Sequence, residues 1–99
     1  MNSFGLKEET VQKILQVFFG HPKIENAVIY GSRAKGNYRT GSDIDICLEA
    51  SEMDLSELML IETELDDLLL PYKIDLSLKH KIENKDLLDH IERVGKKLI

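Results

Sequence analysis

Ninety-nine residues, with 42% apolar and 31% charged side chains, suit one globular domain around one hydrophobic core and exclude a disordered chain. Thirteen basic against eighteen acidic residues leave a net charge of −5, which excludes non-specific nucleic-acid binding through a basic face; a local site or a metal could still hold a nucleotide. The single cysteine, Cys47, rules out a disulfide framework or a thiolate zinc cluster. No run approaches the roughly 20 apolar residues of a membrane helix, and Met1 to Leu6 lacks a secretory pattern, so the expected location is cytoplasmic.

Val11, Ile14, Leu15 and Phe18 recur at helical spacing and predict a helix over Lys7 to Phe19, stopped by Gly20 and the turn His21-Pro22. Ala27 to Tyr30 is a short apolar run, read as a buried strand that ends abruptly at Gly31-Ser32. A polar loop or short helix follows, Arg33 to Ser42, punctuated by Gly36 and Gly41. From Asp43 to Leu48 the residues alternate: Ile44, Ile46 and Leu48 point one way, Asp43, Asp45 and Cys47 the other.

A second helix carries Leu55, Leu58, Ile61, Leu65, Leu68 and Leu69, with Ser51 and Asp54 as a capping-box pair and Pro71 as its close. Tyr72 to Leu78 alternates again, with Ile74, Leu76 and Leu78 opposite Asp75 and Ser77. Asn84 can cap a last helix whose stripe is Leu87, Ile91, Val94 and Leu98. The order predicts an α/β sandwich, a small sheet with helices packed against it, and no interdomain linker. The pattern by itself does not tell parallel from antiparallel strands.

Both alternating strands turn carboxylates away from their aliphatic faces: Asp43 and Asp45 from one, Asp75 from the other. Neighbouring strands would bring the three together, where like charges repel and raise one another's pKa values. Magnesium resolves that conflict, because it takes oxygen ligands from a few carboxylates plus substrate phosphates; three carboxylates can also hold two ions for an in-line phosphoryl displacement. A lone aspartate on a strand is usually surface decoration; Asp-x-Asp with a third on an equivalent face is not.

Gly31-Ser32 at a strand end can turn sharply and aim N–H groups at an anion. Alone, most such pairs are plain turns. Followed after ten residues by Asp43-x-Asp45, the combination arises by chance in roughly one chain of this length in a thousand. Arg33, Lys35 and Arg39 add positive charge to the same loop. Cys47 is expected to pack rather than ligate, and His21, His80 and His90, which lack ligand spacing, to serve the surface.

These segments, Gly31-Ser32-Arg33-Ala34-Lys35-Gly36, Ser42-Asp43-Ile44-Asp45-Ile46 and Lys73-Ile74-Asp75-Leu76, resemble the DNA polymerase β-type nucleotidyltransferases. Within that superfamily the chain is similar over nearly its whole length to the minimal nucleotidyltransferases, stand-alone domains encoded beside HEPN-domain proteins. The resemblance implies the polymerase β-like fold, an α/β (α+β) mixed sheet, with residues 1–99 as one domain. It further implies phosphate binding by Gly31 and Ser32, metal ligation by Asp43, Asp45 and Asp75, and activation of the acceptor by Asp75. Arg33 and Ser42 join Gly31 and Ser32 as candidate nucleotide-binding residues. By the same resemblance, AMP passes from ATP, with two magnesium ions, to a tyrosine of a HEPN toxin that is thereby silenced. Neutralisation by docking without turnover and adenylylation of an aminoglycoside-like small molecule remain as alternatives, and a homo-oligomer stays open.

Overall fold

The computed structural model of the protein describes residues 4–98; Met1 to Ser3 and Ile99 lie outside them. The elements run α1 Glu8–Phe19, β1 Asn26–Tyr30, α2 Gly31–Lys35, β2 Ile44–Glu49, α3 Leu55–Asp66, β3 Ile74–Leu78, a 3-10 turn Lys79–Lys81, α4 Lys85–Val94 and β4 Lys96–Lys97. The sheet is mixed, in the order β3-β2-β1-β4. β1 is antiparallel to β2 and to β4, and β2 is parallel to β3. Parallel neighbours cannot be joined by a tight turn, and here α3 makes the crossover.

One face of the sheet forms the main core. Ala27, Ile29, Ile44, Ile46, Leu48, Leu76 and Leu78 pack there with Ile14 and Phe18 of α1 and with Leu58, Ile61 and Leu65 of α3. The other face is divided. Tyr30 and Cys47 lie buried with Ile91 of α4, flanked by Val28, Ile82 and Leu87. Beyond α4's cover that face becomes polar, and Asp45 and Asp75 occupy the uncovered part. Burial pushes the Cys47 thiol up to about 11, which fits an inert packed residue.

Several boundaries differ from the sequence reading. Asp54, not Ser51, caps α3: its carboxylate accepts the Glu57 N–H at 2.9 Å, while the Ser51 hydroxyl donates to Glu25. The cap is therefore Asp54 alone, three residues beyond Ser51, and the Glu57 carboxylate turns to His21 instead of closing a box. α3 stops at Asp66, short of Leu68 and Leu69, and β2 and β3 begin at Ile44 and Ile74, so Asp43 precedes its strand. Asn84 caps α4 as expected, accepting from the Leu87 N–H at 3.1 Å. Leu98 does not extend that helix; its N–H donates to Ala27 O beside the short strand β4, which the sequence reading lacked.

His21 does more than form a turn. Its Nδ1 lies 3.0 Å from Glu57 and its Nε2 2.8 Å from Glu64, tying the end of α1 to α3. Burial works against the charged ring, but the hydrogen bonds and charges of Glu64 and Glu57 outweigh it, and its pKa is raised.

Candidate active site

Three strands place a row of side chains on the partly open face. Tyr30 of β1 is in register with Asp45 of β2, and Asp45 with Asp75 of β3. The next row holds Cys47 beside Ser77, and the Tyr30 and Ser77 hydroxyls lie 3.4 Å apart. Asp75 stands exposed on the edge strand, Asp43 is exposed just before β2, and Asp45 is half-buried between them.

The electrostatics follow from this placement. The Asp45 carboxyl is raised above its ordinary range by burial first, then by the charges of Asp75 and Asp43; His90 opposes the shift. Tyr30 is raised too, chiefly by burial, with Asp45 and Asp75 adding to it and Ser77 opposing. The acidic patch thus carries uncompensated repulsion, and its donors are all oxygen, the chemistry that suits magnesium. Among the described residues, no group of three His, Cys, Asp or Glu side chains is drawn together closely enough to hold a metal ion by itself. In place of the expected three-way convergence, Asp45 and Asp75 stand in register, and the charge of Asp43 acts on Asp45 from the preceding loop.

Gly31 follows Tyr30 directly, so the glycine turn starts where the acidic row starts. Its φ is +73°, and a Cβ built there would run into Asp45 Oδ2. Both the backbone conformation and the approach of the carboxylate demand glycine. Ser32 comes next in α2, half-buried, and its carbonyl accepts from the Gly36 and Asn37 N–H groups. Gly36 closes α2 in the left-handed conformation, φ +87°.

Arg33 turns inward instead of toward the acidic row. It is 3% exposed. Nε and Nη2 donate to Ser42 O at 3.1 and 2.9 Å, and Nη1 donates to Phe4 O at 2.9 Å. The guanidinium lies 5.1 Å from the Tyr38 ring centroid and 4.9 Å from that of Tyr72. Ser42, whose Oγ accepts the Arg39 N–H at 2.8 Å, completes the same clamp. These two residues hold the loop that delivers Asp43; their hydrogen bonds are made within the protein, which removes the reason to assign Arg33 to phosphate. Lys35 and Arg39 are exposed.

This arrangement carries a prediction. Arg33→Ala should lower stability by about 2–4 kcal/mol, because it removes a buried side chain and leaves the half-buried Phe4 and Ser42 carbonyls without their donors. Arg33→Lys should recover little, since an ammonium cannot reproduce the planar fork. Thermal melts check it; an unchanged melting temperature with lost ATP affinity would return Arg33 to the phosphates.

Sequence reasoning missed His90. Its Nε2 accepts the Gly31 N–H at 3.3 Å, and its ring meets Tyr30 edge-on with centroids 6.1 Å apart. The two residues are 59 positions apart, so no local spacing signals the contact. Surface hollows lie elsewhere, two of them beside the sheet ends and the Arg33 clamp. One of about 360 Å³, lined by Glu49, Lys79 and His80 among others, sits at the far ends of β2 and β3. Another of about 330 Å³ adjoins the Arg33 clamp. Neither is lined by Asp43, Asp45 or Asp75.

Comparison with known proteins adds the following. A family model described as "Polymerase beta, Nucleotidyltransferase" matches residues 12–99. No curated protein matches the chain. Among solved structures, the chain is similar to one in a toxin–antitoxin crystallised with AMP-PNP (24% identity, TM-score 0.75, covering 90% of this chain and 72% of that one). It is also similar to a chain of the toxin–antitoxin MntA–HepT (21%, TM-score 0.71, 94% and 72%). A third similarity is to a complex of tri-AMPylated Shewanella oneidensis HEPN toxin with MNT antitoxin (21%, TM-score 0.70, 93% and 71%).

Proposed function

Because the chain belongs to the polymerase beta nucleotidyltransferase family, we propose that it transfers AMP from ATP to a tyrosine hydroxyl of a HEPN-domain partner. In this reading residues 1–99 form one nucleotidyltransferase domain that acts in the cytoplasm as an antitoxin. The observation that carries it is the Asp45–Asp75 pair, in register across parallel strands and abutting the Gly31 turn. The AMP-PNP-bound toxin–antitoxin and the complex with a tri-AMPylated HEPN toxin support the choice of nucleotide and acceptor. Among the described residues, no helix is long and apolar enough to cross a membrane.

The turn at Gly31 and Ser32 binds the triphosphate at the end of β1, Gly31 by permitting the close approach and Ser32 by its hydroxyl and N–H. Asp43, Asp45 and Asp75 would hold magnesium, which when bound supplies the positive charge that balances the phosphates. The acceptor oxygen forms a bond to the α-phosphorus, the bond to the departing pyrophosphate breaks, and the hydroxyl proton passes to Asp75. Asp75's exposure on an edge strand lets a large acceptor reach it from solvent.

Incubation with α-labelled ATP, magnesium and the HEPN-domain product of the neighbouring gene tests the proposal. Label and an AMP mass increase are expected on a partner tyrosine, and both should vanish with Asp75→Asn. A stable complex that never acquires label favours docking without turnover. Labelling of an aminoglycoside, with none on protein, favours a small-molecule acceptor.

A further inference from the structure

We propose that His90 is a positioning residue for the phosphate turn: by accepting the Gly31 N–H, it fixes the orientation in which Ser32 meets the nucleotide. This deepens the nucleotide-transfer reading and rests on it.

Gly31 opens α2, and the first N–H groups of a helix have no acceptor within it. The usual remedy is the side chain of the preceding residue, but that residue is Tyr30, which makes no capping bond. His90 supplies the acceptor from another helix, at 3.3 Å. A main-chain N–H can only donate, so Nε2 is the acceptor in this bond.

Glycine is the residue with most backbone freedom to lose. At φ +73°, Gly31 has no side chain of its own to hold the turn. An external hydrogen bond limits that freedom where a phosphate must be met by aligned donors. The acceptor side of the device is rigid as well. The neighbour of His90, Ile91, is 5% exposed and anchors α4 on Tyr30 and Cys47. The His90 ring stands edge-on to Tyr30 at an interplanar angle of 80°. The packing of α4 is thereby transmitted through one hydrogen bond to the turn, which is preorganisation of a binding site rather than contact with its ligand.

Three substitutions in the full chain separate positioning from simple helix capping: His90→Ala, His90→Gln and His90→Asn. Calorimetry with ATP and magnesium, transfer kinetics and thermal melts are the readouts. His90→Ala should raise the Kd and KM for ATP about tenfold with kcat within about twofold, because the bond serves substrate and transition state alike. Gln carries an amide oxygen close to the position of Nε2 and should restore both constants to within about threefold; the shorter Asn should not. Affinity should follow the acceptor, not the melting temperature. Wild-type affinity in His90→Ala overturns this proposal alone, as does a Kd loss that tracks the melting temperature or a Gln variant no better than Ala. Failure of the unaltered protein to bind ATP at all overturns the transfer reading, and this proposal with it.

Discussion

Asp45→Asn should reduce AMP transfer on the order of a thousandfold while raising the melting temperature of the ligand-free protein at neutral pH. The two effects have one cause. Burial and the charges of Asp75 and Asp43 raise the Asp45 carboxyl above its ordinary value of 3.8. A group whose pKa is higher folded than unfolded favours the folded state while protonated, and that advantage is lost as pH rises through the folded value. At pH 7 the ionised carboxylate therefore works against the fold, and asparagine, of nearly the same shape, removes the repulsion. Near pH 3, below the unfolded value, the wild-type group is already neutral and the gap between the two proteins should close. Asp43→Asn should show the activity loss with little gain in stability, because Asp43 is exposed. Magnesium with ATP should raise the melting temperature of the wild type and not of Asp45→Asn. Wild-type transfer by Asp45→Asn sinks the site assignment. A stability gap equal at pH 7 and pH 3 sinks the electrostatic account and leaves the site standing.

The strand faces were legible because alternation is a local property: Ile44, Ile46 and Leu48 are buried, and Asp45 emerges on the other face. The register that sets Asp45 beside Asp75 was not, since it depends on how α3 carries the chain across and on whether β2 and β3 run parallel. The motif spacing singled out one turn and two strands, yet it could not say which way a long side chain leaves the loop. Arg33 looks, in sequence, like a phosphate ligand beside Gly31-Ser32. Its inward direction is decided by Phe4, Ser42, Tyr38 and Tyr72, which lie on both sides of it in the chain. His90 was read as a surface residue for the same reason: its partners, Gly31 and Tyr30, are supplied by the fold. β4 could not be read at all, because two lysines have no strand signature and pair only once β1 is in place.

Gly31→Ala should cost more stability than Gly36→Ala, and only the first should cost activity. Both glycines have positive φ, +73° and +87°, where an L side chain pays about 1–2 kcal/mol. Gly36→Ala bears that strain alone, since nothing lies within 4 Å of its added Cβ. At Gly31 the new methyl also meets the Asp45 carboxylate, so either the turn opens or Asp45 swings out of register with Asp75. Either movement separates the Gly31-Ser32 turn from the acidic pair, and a misplacement of about 1 Å can cost a hundredfold in rate. Gly31→Val, with a branched Cβ, should be worse still, and Ser32→Ala milder, at about tenfold to a hundredfold, because it keeps the backbone donors. A double-mutant cycle isolates the collision. In an Asp45→Ala background the carboxylate is gone, and Gly31→Ala should then cost no more than Gly36→Ala. If the Gly31→Ala penalty is the same with and without the Asp45 side chain, the glycine is there for its backbone conformation alone, and the close approach of turn and carboxylate plays no part in catalysis.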